Sequence, residues 1–306
     1  MHFPVLSCFL LGETRMQVLL PYVCGIAVLC IGLWYARKHL RPRLGVEALT
    51  SLGPIFYALP LAAFGADHFV FRDSIVQIVP SYMPAPMFWV YLVGAGLIAA
   101  ALAIAVQQQV EPAALSLTAM FAIFELTVHI PNLFREPSSR FIWAVAARDL
   151  AFLGGALSLA ITQSVAWPRN RIRILTTVAR YCIGIPVTFF GVEQILHPQN
   201  VPAVPLVATT PAWMPGHALW GYVTGAVFVL AGLCMVCNLQ TRRAANWVGG
   251  MTLFVVLVVY LPITIANASN IEIGWNYFAD TLMLAGSVYM FAETQTVELV
   301  SQTAIA

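Results

Sequence analysis

Apolar runs of about 20 residues recur along almost the whole chain, and nothing else in the sequence limits the fold so tightly. A helix of that length crosses about 30 Å of hydrocarbon. In lipid the backbone must satisfy its own polar groups, which leaves helices or a closed barrel. The runs are apolar on every face and lack the alternation of barrel strands, so helices are expected. We place nine spans, at 17–36, 50–68, 86–107, 113–131, 141–163, 174–196, 217–238, 246–266 and 274–292. Composition agrees: 60% of the 306 residues are hydrophobic and 9% charged, where soluble domains carry about 25% charged residues. A net charge of +2 provides no basic surface for nucleic acid. Six cysteines in so long and apolar a chain define no disulfide framework.

Charge sets the expected orientation. Arg37, Lys38, Arg41 and Arg43 follow the first span, Arg169, Arg171 and Arg173 the fifth, and Arg242 and Arg243 the seventh. With nine spans these loops share a side, and short basic loops face the cytoplasm. The N-terminus is then outside and the tail from Glu293 inside. Arg72, Arg135 and Arg140 are exceptions, in outer loops beside Asp73 and Glu136. Residues 1–15 have neither a basic n-region nor a small-residue cleavage site, so they do not read as a signal peptide. Met16 opens the first clean span and is a second candidate for the start.

The chain also repeats itself. Pro80-Ser-Tyr-Met-Pro84 and Trp89-Val-Tyr-Leu-Val-Gly94 are answered by Pro211-Ala-Trp-Met-Pro215 and Trp220-Gly-Tyr-Val-Thr-Gly225, an offset of 131. The same offset joins Met120 to Met251, Pro131 to Pro262, Asp149 to Asp280 and Gly155 to Gly286. Upstream, Phe64-Gly65-Ala66-Asp67 matches Phe190-Gly191-Val192-Glu193 at 126, so the second outer loop is five residues longer. The expected fold is therefore all-α and membrane-integral: two parallel four-helix transmembrane bundles side by side, plus one extra N-terminal transmembrane helix. The divisions are 1–49, 50–168 and 169–306. Gly94, Gly96, Gly154, Gly155, Gly225 and Gly232 are expected at close helix contacts.

A four-span unit with Phe-Gly-x-Asp/Glu-His/Gln, a Pro-x-Trp/Tyr-Met-Pro outer loop and Trp-x-Tyr-x-x-Gly opening the next span resembles the DoxX family. Here the unit occurs in tandem over roughly residues 53–292. The resemblance implies a protein of the bacterial inner (plasma) membrane. It also implies kinship with the thiosulfate:quinone oxidoreductase and quinol oxidase subunits that give the group its name, hence redox partner subunits and a quinone.

Ionisable side chains within membrane helices cost about 2.5–3.5 kcal/mol each on insertion scales, so they need partners or a cavity. The fourth span carries Glu125 and His129, one turn apart; Asp67 and His68 end the second; Arg148 and Asp149 lie about two turns into the fifth. All are expected in the outer half of the membrane. The second copy has Glu193 for Asp67, Gln194 for His68, Tyr260 for His129 and Asp280 for Asp149, while Val256 replaces Glu125 and Ala279 replaces Arg148. The first copy is thus the better equipped.

A quinone headgroup needs His or Tyr hydrogen-bond partners and a carboxylate–His route for protons, which His129, His68, Glu125 and Asp149 can supply. Two His with carboxylates also suit a divalent metal, but no HExxH-like spacing occurs and we assign no metal. The third reading is structural: Arg148–Asp149 and Glu125–His129 neutralise each other and hold the bundle. Cys234-Met-Val-Cys237 has no thioredoxin-like context and reads as buried packing. The segments 80–86 and 205–215 are either re-entrant caps or rigid surface loops. Three functions remain: a redox-complex membrane subunit contacting quinone, a non-catalytic scaffold or assembly subunit, and a small-molecule or lipid transporter. Whether the chain is an enzyme is left open.

Overall fold

A computed structural model describes residues 15–39, 44–164, 166–204 and 208–303. Residues 1–14, Arg41, Arg43 and Pro205 lie outside them. The described chain is 82% helix and has no strand. Nine long helices follow one another: α1 Arg15–His39, α2 Val46–Val70, α3 Pro86–Ala105, α4 Val110–Arg135, α5 Arg140–Gln163, α6 Arg169–Leu196, α7 His217–Val236, α8 Thr241–Ala266 and α9 Tyr277–Thr303.

The first eight are long and apolar enough to cross a membrane, as a multi-pass membrane protein requires. The ninth differs from its expected character. Asp280, Thr281, Ser287, Glu293 and Thr294 interrupt its apolar run, yet every residue from Ala279 to Ala292 is buried. Protein rather than lipid surrounds that stretch, so its faces need not all be apolar. Two of its hydroxyls are satisfied locally: Ser287 Oγ donates to the Met283 carbonyl at 2.8 Å, and Thr294 Oγ1 to that of Phe291 at 2.7 Å.

Proline shapes α4 and α8. Pro131 and Pro262 lack an N–H and crowd the carbonyl four residues back, so each helix takes up an extra residue just before them. The results are π turns at Glu125–His129 and Val256–Tyr260, where the Ile130 and Leu261 N–H groups reach Glu125 O and Val256 O. The ends of α3 and α7, and of α4 and α8, lie 131 positions apart, as do these π turns. The residues before α3 and α7, Ala85 and Gly216, both have left-handed backbones, as do Gln109 and Gln240 before α4 and α8. Trp89 Nε1 donates to Pro84 O at 2.9 Å, and Trp220 Nε1 to Pro215 O at 3.0 Å.

Each helix from α2 to α9 packs on the next, and α9 returns to α2, so the eight close into a ring with α5 and α9 also in contact across it. Helix α5 thus rests on α6, and α9 on α2. Helix α1 lies outside the ring, against α2 and α3. The α2–α3 crossing is close because a Cβ on Gly65 would stand 2.8 Å from Gly94 O; a Cβ on Gly191 would stand 2.8 Å from Gly225 O at the α6–α7 crossing. Gly96, expected at a similar contact, faces open space.

The α6–α7 connection turns inward. Val201, Ala203 and Val204 are buried, and Gln194 clamps them, its Nε2 donating to Val201 O at 3.2 Å and its Oε1 accepting from Ala203 N at 3.1 Å. Tyr260 OH donates to Pro202 O at 2.9 Å and Thr281 Oγ1 to Val204 O. The α2–α3 connection instead forms short turns at Arg72–Ile75 and Val76–Ile78 without a buried residue.

Candidate functional site

The Pro131-induced turn sets His129 facing α5. Its Nε2–H donates to Asp149 Oδ2 at 2.9 Å, with both residues buried. On the other side of that carboxylate, Arg148 Nε donates to Oδ1 at 2.9 Å, and Arg148 Nη1 crosses to Asp280 Oδ2 on α9 at 2.8 Å. The guanidinium carbon also lies 5.8 Å from the Phe152 ring centre. One arginine therefore bridges two aspartates 131 positions apart. Its two donor directions match carboxylates on neighbouring helices, which a lysine ammonium cannot hold in the same planar geometry.

Glu125 lies within electrostatic reach of His129, Asp149 and Arg148, and also of Cys182 on α6. Its Oε1 is buried without a hydrogen-bond partner, as is Asp280 Oδ1. Such an orphaned acceptor costs about 1–3 kcal/mol, so each marks a place where a donor is wanted. The cluster sets three carboxylates against one guanidinium and one imidazole. By helix rise Arg148 is about 12 Å along α5 from Arg140.

The remaining sequence candidates are not in this network. His68 uses Nδ1–H to donate to the Phe64 carbonyl one turn back, at 2.7 Å, and its Cβ sits against Gly94 of α3. Asp67 is buried within electrostatic reach of Cys24 on α1. Adjacent residues point about 100° apart on a helix, so the two face different neighbours. Glu193 accepts from Arg140 Nε at 2.6 Å, with His197 Nε2 at 4.0 Å. Tyr260, 131 positions after His129, lies within electrostatic reach of Asp280 but donates its hydroxyl to the Pro202 carbonyl.

Two residues escaped the sequence reading. Arg140, counted among the outer-loop charges, opens α5 and pairs with Glu193, so both basic residues of α5 serve carboxylates of the second half. Gln194, read as a lost histidine, is a structural clamp. The signal available for Arg140 was its place one residue before an apolar run, which suits a helix end as well as a loop. Cys237 is exposed and Cys234 half-buried, and neither forms a disulfide, so the pair is less buried than expected. Among the described residues no three His, Cys, Asp or Glu side chains gather as metal ligands. Comparison with protein-family models, characterised proteins and solved structures gave no match.

Proposed function

We propose that this is a DoxX-like protein of the bacterial inner membrane, a tandem duplication of a four-helix unit preceded by α1. Its first unit contacts a quinone or similar small lipophilic ligand, as a membrane subunit of a redox complex. The matched ends of α3 and α7 and of α4 and α8, the matched π turns and the matched indole bonds support the duplication. The units share one orientation, N-terminus outside and C-terminus cytoplasmic, and exchange packing partners through α5 and α9.

The observation carrying the ligand reading is Glu125 Oε1, buried and unpartnered beside the His129–Asp149 pair. A hydroquinone hydroxyl would donate to that oxygen, and the imidazole–carboxylate pair next to it is suited to hold or pass on a proton. A quinone supplies two-electron, two-proton chemistry when bound, with electrons exchanged by partner subunits. The second unit lacks the acceptor, having Val256 there, and its own loop engages Tyr260. Both differences favour the first unit.

The test is a titration of a short-chain hydroquinone into the protein in lipid nanodiscs, read by tryptophan fluorescence. Wild type is expected to saturate, and Glu125→Val to bind about tenfold more weakly, the loss of one hydrogen bond. Equal affinity, or no saturation by wild type, refutes the reading. The scaffold reading is favoured by one specific observation: Asp149 is already paired on both oxygens, and Arg148 ties the two halves together.

A further inference from the structure

Helix α1 packs on α2 through small residues seven apart. A Cβ on Gly32 would meet the Ile55 side chain at 3.2 Å; one on Gly25 would meet the Trp275 ring at 2.7 Å and the Leu59 carbonyl at 3.4 Å. Beneath α1, Ile55 and Leu59 are each 3% exposed. The face continues to Val256 of the second half, 1% exposed, which clusters with Leu59, Trp275 and, from α1, Tyr22 and Leu29. This covered face lies between the first helix of one unit and the π turn of the other.

The duplication gives the molecule a second such face. Helices α2 and α6 align through Pro60 and Pro186 and through Phe64-Gly65 and Phe190-Gly191, so Ile55 corresponds to Tyr181 and Leu59 to Ile185. Among the described residues no helix lies over these two as α1 lies over Ile55 and Leu59: Tyr181, with the Arg180 guanidinium carbon 4.9 Å from its ring centre, is 42% exposed and Ile185 51%. With exposed Ile174 and Val178 they form a seam at the three- and four-residue steps by which one helix receives another, and exposed Val192 follows seven residues on. Helix α1 has no counterpart here, because the second unit follows α5 without an added helix. Glu125 stands where Val256 stands on the covered side, within electrostatic reach of Cys182 next to Tyr181.

We propose that this α6 face is the docking site of a single transmembrane helix from a second polypeptide, apolar and carrying small residues seven apart like Gly25 and Gly32. Lying over the face beside Glu125, that helix walls the site off from lipid. The proposal rests on the duplication and not on the quinone reading. What commits it to a helix is the structure's own precedent: the equivalent face is filled by one, in a register fixed by two small residues.

The probe is a synthetic peptide of residues 15–39, which forms a self-sufficient helix in lipid because its backbone bonds are internal. The full-length protein in nanodiscs carries a benzophenone amino acid at position 181, at 185 or, as a control, at the lipid-facing Leu230 of α7. Photocross-links are mapped by mass spectrometry. The expected result is peptide attachment near Gly32 from position 181 and near Gly25 from position 185, well above the control. A peptide with Gly25→Leu and Gly32→Leu is expected to cross-link about threefold less or weaker still, the scale of one lost interhelical contact. Four results overturn the proposal: labelling of lipid only, labelling equal to that from position 230, equal labelling by the double-leucine peptide, or cross-links to a second copy of the protein. None of these outcomes depends on whether a quinone binds.

Discussion

Replacing Arg148 with methionine keeps most of the side-chain length and removes the charge that joins α5 to α9. Two charge-assisted hydrogen bonds are lost, at 2.9 Å to Asp149 and 2.8 Å to Asp280. Asp149 retains His129, but Asp280, whose Oδ1 already lacks a partner, loses its remaining hydrogen-bonded arginine. Breaking a buried pair by removing one member costs about 3–5 kcal/mol. The Arg148 side chain is only 24% exposed, so little of this is lost to solvent screening. At roughly 2 °C per kcal/mol for a large domain, the melting temperature should fall by roughly 6–10 °C. A thiol-reactive dye reports it, since half-buried Cys182 and Cys234 become accessible on unfolding. The double variant Arg148→Met with Asp280→Asn should recover about 2 kcal/mol, because the uncompensated carboxylate is gone. Arg140→Met, at a pair with a 35% exposed arginine, should cost about 1 kcal/mol or less. A fall of under about 2 °C for Arg148→Met, or a double variant less stable than the single one, refutes the bridging role.

Two further perturbations probe other parts of the account. Gln194→Leu leaves the Val201 carbonyl and Ala203 N–H unpaired, at a cost of about 2 kcal/mol, and should speed amide exchange at Ala203; unchanged exchange there removes the clamp. In a Cys8→Ser background, exposed Cys237 should resist a membrane-impermeant maleimide on intact cells and react after permeabilisation, whereas labelling of intact cells inverts the orientation.

The eight apolar helices were legible because hydrocarbon thickness imposes length and polarity on any helix that meets lipid. Helix α9 marks the limit of that logic: enclosed by protein, it answers to its neighbours and tolerates Asp280 and Thr281. Within the site, the neighbours Arg148 and Asp149 were legible as a pair, whereas the expected Glu125–His129 pairing gives way across the π turn: His129 bonds Asp149 and Glu125 Oε1 has no partner. The His129–Asp149 bond joins residues 20 apart, and Arg148–Asp280 residues 132 apart. No local pattern encodes such partners, and the nearer one, Asp149, is only half of what Arg148 holds. Asp67 and His68 show the opposite failure, because neighbours in sequence at a helix end were grouped although the helix turns them apart.

The proposed ligand site is flanked by Glu125 and His129. Purifying the protein from its host membrane in mild detergent and identifying bound small molecules by mass spectrometry tests it most directly. Wild type should retain a quinone, His129→Ala and Glu125→Val should lose it, and Tyr260→Phe in the second unit should keep it. Wild type devoid of quinone despite quinone in the host membrane, or retention by all four proteins alike, contradicts that site.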